Sequence, residues 1–71
     1  MPEKPINIEN IFTYHPPKDD QPERYQRLRD ACKGLANVII NETPMGREQS
    51  VAIRKLEECS FWMNAAIARN E

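Results

Sequence analysis

The residues best suited to hold an anionic ligand lie close together near the start of the chain. Tyr14, His15 and Lys18 place an aromatic ring, an imidazole and an ammonium group along a short stretch. Aromatic rings stack on planar bases and basic side chains bind phosphates, so this stretch is suited to a nucleotide. Pro16 and Pro17 stiffen its backbone, which lowers the ordering cost of binding. An arm that packs its rings into the rest of the fold would explain the aromatic residues equally well.

Basic residues further along the chain are candidate phosphate contacts. Arg29 has no acidic residue three or four positions away, and Lys33 follows it at i+4. Two cations at that helical spacing repel mildly unless an anion lies between them. Arg69 also lacks an acidic neighbour at helical spacing. The ordinary explanation is solvation for Arg29 and Lys33, and a favourable position at a helix C-terminus for Arg69.

The sequence contains no set of residues typical of catalysis or metal binding. It has one histidine, two cysteines and two glycines, and no Gly-rich phosphate loop. A surface or hydrogen-bonding role for His15 is favoured over that of a general base. Cys32 and Cys59 fall on apolar helix seams, so we interpret them as small buried residues. We predict a protein that is not an enzyme and that uses no metal and no cofactor.

Length and composition exclude several classes of protein. A chain of 71 residues with a formal net charge of −1 predicts one small domain, residues 1–71. That charge argues against a binder of DNA or RNA polymers. The longest apolar run is residues 38–40, so no membrane span is expected. The N-terminus lacks the pattern of a signal peptide, which favours the cytoplasm.

The predicted fold class is all-α, with an N-terminal arm followed by two helices. Residues 1–20 are proline-rich and form the arm, with room for one short helical turn capped by Asn7. The first long helix is expected at residues 21–41. Asp20 is its candidate N-cap, and Glu23 would complete a capping box.

A second long helix is predicted at residues 44–69, with Thr43 as its cap and Pro44 at its first position. The short link between the two helices predicts an antiparallel hairpin. Apolar residues recur at heptad spacing on both helices. The predicted seam of the first helix is Tyr25, Leu28, Cys32, Leu35 and Ile39, widened by Ala31, Ala36, Val38 and Ile40. The predicted seam of the second helix is Ala52, Leu56, Cys59, Met63 and Ala66, with Ile53, Ser60 and Ile67 beside it.

A two-helix hairpin has one mutual interface, and Phe61 and Trp62 do not fit into it. A chain this short also builds only a small core. Both observations predict that copies of the chain pack together into a compact oligomer. The alternative is that the arm folds back over Phe61 and Trp62.

Two blocks of the sequence resemble the phage anti-CBASS cyclic-nucleotide sponge family. Together they extend over about residues 12–71 and coincide with the arm and the two helices. The sequence departs from the family at Asp19, where a glycine or similarly small residue is expected, and at Arg29, which replaces a lysine. The resembling stretches are Phe12 to Lys18, Asp20 to Tyr25, Arg47 to Ser50, Leu56 to Glu58, Trp62 and Asn64 to Glu71.

The resemblance implies a hexameric helical protein that sequesters cyclic di- and trinucleotides, such as cyclic GMP-AMP, without cleaving them. A phage protein of this kind would let the phage evade CBASS immunity in the cytoplasm of the infected host. By motif position, Tyr14 and Arg29 correspond to the family's aromatic and basic contacts to cyclic dinucleotides, which lie between protomers. Arg69 corresponds to a trinucleotide contact.

The rival hypothesis is a helical oligomeric adaptor, structural or protein-binding, with no nucleotide ligand. It would use the same helix seams and the exposed Trp62. A nucleotide-degrading enzyme is a third hypothesis, and the sequence offers it neither a base nor a metal set. The sequence-level candidates for ligand contact are therefore Tyr14, His15, Lys18, Arg29, Lys33 and Arg69.

Overall fold

The computed structural model describes residues 5–71. Within this range the chain forms three helices and no strand: α1 (Ile8–Phe12), α2 (Gln21–Glu42) and α3 (Arg47–Asn70). The predicted all-α fold class is confirmed. The first four residues of the predicted arm, including Pro2, lie outside the described residues. Helices α2 and α3 pack side by side as a hairpin, and the arm with α1 lies beside it.

Helix α1 forms because its first turn is capped as predicted. The Oδ1 of Asn7 accepts a hydrogen bond from the backbone N–H of Asn10 at 3.0 Å. After the prolines, the chain turns into α2 where the N–H of Gln21 donates to the carbonyl of Lys18 at 2.9 Å. Asp19 takes φ 53° in this turn, a left-handed conformation that favours glycine. This conformation explains why a glycine suits that position.

The first long helix lies where it is expected, but its predicted capping box is wrong. The Asp20 side chain makes no capping hydrogen bond. Its carboxylate lies 3.5 Å from Nη1 of Arg24 instead, because that guanidinium offers it an ion pair. Gln21 is buried, and its Oε1 accepts the backbone N–H of Lys18 at 3.1 Å. Pro22 occupies the first turn of α2, where its missing N–H costs nothing.

The predicted start of the second long helix is wrong by three residues. Thr43 caps the end of α2 rather than the start of α3. Its backbone N–H and its hydroxyl both donate to the carbonyl of Ile39, at 3.1 and 2.6 Å. The N-cap of α3 is Gly46, in extended backbone. The Gln49 amide closes the loop by donating to the carbonyl of Thr43 at 3.0 Å.

The face of α3 that packs on α2 keeps Leu56 and Met63 from the predicted seam, and the residues expected beside that seam replace its alanines and Cys59. Two neighbouring faces of α3 carry apolar and small residues at heptad spacing. The structure packs the face with isoleucines inward rather than the face with alanines, because isoleucine removes more apolar area from water. Cys59 is therefore exposed, so its predicted core position is wrong, whereas Cys32 is half-buried. The residues that face α2 are Ile53, Leu56, Ser60, Met63 and Ile67.

On α2 the structure deviates from the predicted seam at one position. Leu35 is half exposed, and Ala36, which was predicted to widen the seam, lies inward instead. Phe61 and Trp62 are each about 60% exposed (62% and 61%), so the arm does not fold over them. None of the helices within residues 5–71 combines the length and the hydropathy needed to cross a membrane.

Candidate functional site

An open cleft of about 470 Å³ lies where the arm meets α2 and the last turns of α3. It brings together several predicted site residues from distant parts of the chain. Tyr14 and His15 come from the arm, Arg29 from α2 and Arg69 from α3. The cleft is lined by Ile11, Tyr14, His15, Pro17, Tyr25, Arg29, Asn64, Ala65, Ala68 and Arg69.

Asn10 makes one hydrogen bond that attaches the arm to the end of α3 and another within the arm. The Nδ2 of Asn10 donates to the carbonyl of Arg69 at 3.1 Å. The carbonyl of Asn10 lies 2.8 Å from Nε2 of His15. Because a carbonyl only accepts, Nε2 must carry the proton. His15 is thus a hydrogen-bonding residue of the arm, the role that the sequence favours, while Asn10 carries no sequence signal.

The two arginines of the cleft keep their positive charge unneutralised. The Nη2 of Arg29 donates to Oε1 of Gln26 at 2.8 Å, a neutral partner. The amide of Gln26 in turn donates to Asp30 at 2.9 Å, so this carboxylate is already engaged. Within residues 5–71, neither Arg29 nor Arg69 has a carboxylate within ion-pair distance. The cleft can therefore attract an anion.

Lys18 lies at a smaller adjoining cleft of about 200 Å³, which Tyr14 and His15 also line. Its Nζ donates to the main-chain carbonyl of Glu71 at 2.9 Å. This bond attaches the arm to the end of α3. Lys18 therefore lines the same smaller cleft as Tyr14.

The Glu71 carboxylate joins the end of α3 to the start of α2. It accepts two hydrogen bonds from Arg24, at 2.7 and 2.6 Å, and one from Gln21 at 3.2 Å. The bonds from Arg24, then the bond from Gln21, lower the pKa of Glu71 to about 2. The same pairing raises the pKa of Arg24. Sequence analysis missed this contact because its partners are far apart in the chain.

The structure does not bring Lys33 into either cleft. Lys33 is exposed on α2, one turn beyond Arg29. Two polar residues that sequence analysis did not assign to the site do line the larger cleft. Tyr25 was attributed to the helix seam. Asn64 lies in a stretch that resembles the family, but sequence analysis assigned it no role of its own. Among residues 5–71, no group of three or more His, Cys, Asp or Glu could hold a metal ion.

Comparison with known proteins identifies the family of this chain. A family model described as the Acb2/Tad1 hairpin domain matches residues 4–68. The chain belongs to this family. Acb2/Tad1 proteins are anti-CBASS cyclic-nucleotide sponges, so the predicted resemblance is confirmed. Neither a curated protein nor a solved structure matches the chain.

Membership in the Acb2/Tad1 family establishes the general function. The family binds cyclic oligonucleotides and sequesters them, which counters CBASS immunity on behalf of phages. Its members are sponge-type binding proteins rather than enzymes. The matched hairpin domain includes α1, α2 and most of α3, and therefore nearly every residue that lines the larger cleft.

Proposed function

We propose that this chain sequesters cyclic di- and trinucleotides without cleaving them, in the cytoplasm of a bacterium infected by a phage. The observation that carries the proposal is a single cleft that holds Tyr14, Arg29 and Arg69, in a chain of the Acb2/Tad1 family. An aromatic ring beside two unneutralised cations suits a ligand made of bases and phosphates.

Each of these side chains has a distinct role in the proposed complex. A base stacks on the ring of Tyr14, and Arg29 pairs with a phosphate. The neutral Gln26 orients the Arg29 guanidinium without cancelling its charge. Arg69 supplies a second cation at the opposite wall of the cleft, for a trinucleotide or for the second phosphate. Lys18 extends the positive surface at the rim.

A second copy of the chain completes the proposed site. The cleft is open on one side, so one protomer alone would leave a bound ligand largely exposed. A cyclic dinucleotide has two bases and two phosphates. A twofold interface would supply Tyr14 and Arg29 twice and would match this symmetry. The family resemblance implies a hexamer as the complete assembly.

The larger cleft offers little chemistry for cleaving a ligand. None of its lining residues is a carboxylate or a cysteine. His15 is the one imidazole there, and its Nε2 already donates to the carbonyl of Asn10. Phosphodiester cleavage needs a base or a metal to activate the nucleophile. These observations support release of an intact ligand.

Calorimetric titration with cyclic GMP-AMP and with a cyclic trinucleotide tests the proposal. We expect both ligands to bind, and ligand released by denaturation to keep its intact mass. Arg29→Glu places a carboxylate against the phosphate, and should weaken cyclic GMP-AMP binding by about 2–5 kcal/mol. Arg54→Glu makes the same charge change on exposed α3, away from both clefts, and should leave binding unchanged.

Two outcomes would contradict the proposal. Linearised nucleotide in the released fraction would indicate an enzyme. Absence of binding to every cyclic nucleotide would favour the adaptor without a nucleotide ligand, for which the exposed Phe61 and Trp62 are the supporting observation. If Arg29→Glu bound as tightly as the parent protein, the phosphate contact would lie elsewhere.

A further inference from the structure

Asn64 is a polar residue of the larger cleft whose side chain has no partner within residues 5–71. It is half-buried on α3 and makes none of the side-chain hydrogen bonds of this region. The amides of Asn10 and Asn70, in contrast, donate to main-chain carbonyls at 3.1 and 2.9 Å. The amide of Asn64 is therefore available to a molecule that enters the cleft.

The neighbours of Asn64 leave space for a flat group. Ala65 and Ala68 line the same wall of the cleft, and their methyl groups extend little beyond the helix backbone. Arg69 stands further along this wall, and no carboxylate of residues 5–71 lies within ion-pair distance of its guanidinium. A planar base can thus approach the helix at Asn64 while a phosphate lies near Arg69.

The carboxamide of Asn64 has the chemistry to distinguish one base from another. It presents one acceptor and one donor group side by side, a pattern that pairs with N6–H and N7 of adenine. Guanine presents two acceptors, O6 and N7, at the corresponding edge, so this pairing is lost. The amide carries no charge, so its contribution does not depend on the phosphates.

We propose that Asn64 reads the base and gives the cleft a preference for adenine over guanine. This inference rests on the proposed function, since it assigns base selectivity to the same site. Tyr14 and the arginines then bind every cyclic nucleotide through its bases and phosphates, and Asn64 discriminates between adenine and guanine.

Cyclic di-AMP and cyclic di-GMP test the proposal, because they share ring size and charge and differ only in the bases. We expect the parent protein to bind cyclic di-AMP more tightly by about tenfold or more, the discrimination typical of one bidentate contact. Asn64→Leu keeps the size of the side chain and removes its hydrogen bonds. It should bring the ratio of the two dissociation constants close to one.

Asn64→Asp adds a second, opposite test. A carboxylate has two acceptors and no donor, so it loses the bond to N7 of adenine, whereas guanine has no such bond to lose at the corresponding edge. The ratio should shift towards cyclic di-GMP, although both ligands bind more weakly through charge repulsion. Asn37→Asp is the matched control on exposed α2, outside both clefts, and should leave the ratio unchanged.

The possible outcomes separate this inference from the proposed function. A parent protein that binds both ligands equally or prefers cyclic di-GMP would overturn the role of Asn64 and leave sequestration intact. An unchanged ratio in folded Asn64→Leu, or an equal loss of both ligands, would do the same. Failure of the parent protein to bind any cyclic di- or trinucleotide would overturn the proposed function and the inference together.

Discussion

At the residue scale, Tyr14 combines a fixed backbone with a free side chain. The residue is 79% exposed, although it lines both clefts. The prolines that follow it, and the bond between His15 and Asn10, hold the backbone on which it stands. An exposed ring contributes little to the folding of one chain. Its side chain is therefore available for a ligand or for a neighbouring copy.

Replacing Tyr14 with alanine tests the stacking role directly. Tyr14→Ala should weaken binding of a cyclic dinucleotide by roughly 1–3 kcal/mol, the usual contribution of one stacked base. Tyr14→Phe keeps the ring and should bind nearly as tightly as the parent protein. Circular dichroism should show equal helix content in all three proteins, since Tyr14 lies outside every helix. Parent-like affinity in a folded Tyr14→Ala would remove this residue from the site.

At the element scale, Glu71 connects the arm, α2 and α3. Its carboxylate binds Arg24 and Gln21 of α2, and its carbonyl accepts the Lys18 ammonium. These bonds hold the arm and the adjacent ends of α2 and α3 together, where few apolar side chains are buried. The cleft lies between the same elements, so its shape depends on this contact.

The lowered pKa of Glu71 predicts how stability depends on pH. A carboxyl whose pKa falls on folding, here from an ordinary 4.5 to about 2, stabilises the fold above its unfolded pKa. That contribution is lost as the pH falls from about 4.5 to about 2. Glu71→Gln should therefore melt at a lower temperature than the parent protein at pH 7, and the difference should shrink as the pH falls towards 2.

Thermal melts followed by circular dichroism across this pH range provide the measurement. Glu57→Gln is the matched control, because it removes the same charge from an exposed side chain of α3 that forms no ion pair within residues 5–71. Its melting temperature should stay close to that of the parent protein at each pH. A Glu71→Gln difference as large at pH 2 as at pH 7 would assign the effect to packing rather than to charge.

At the scale of the whole molecule, the single chain has very little core. Ile67 is the one apolar residue of the described region that is more than nine-tenths buried, and the structure leaves many large apolar side chains exposed. A protein of this size needs further burial to be stable, and association of copies is the common solution. The large apolar side chains that are most exposed are Ile6, Ile8, Phe12, Tyr14, Met45, Phe61 and Trp62.

The exposed apolar surface predicts an oligomer whose stability depends on concentration. Light scattering at micromolar concentration should show a species larger than one chain, and dilution should lower the melting temperature. Trp62→Glu should shift the protein towards smaller species, because it would place a charge in the predicted interface between copies. Asn37→Glu adds the same charge on exposed α2 and serves as the control. A stable helical monomer of the parent protein would contradict this prediction and would weaken the model of a shared site.

Much of the site could be predicted from the sequence because its signals are local. Tyr14, His15 and Lys18 lie in one short stretch, and Arg29 is recognisable by the acidic neighbours that it lacks. The structure assembles these with Arg69 around adjoining clefts and leaves Lys33 outside. Tyr25 and Asn64 could not be assigned in this way, because a tyrosine on an apolar seam and an isolated asparagine have many ordinary roles.

The sequence by itself determined the helices, their hairpin arrangement and the family. Apolar periodicity, proline positions and motif spacing are local signals, which can be recognised within a short segment of the chain. Tertiary structure alone decided which face of α3 packs inward, since Ile53 and Ala52 fit the same heptad spacing and only the partner helix selects between them. It also decided the contacts of Arg24 with Glu71 and of Asn10 with Arg69, which join residues 47 and 59 positions apart. Such pairs leave no local pattern, because only the folded chain brings them together.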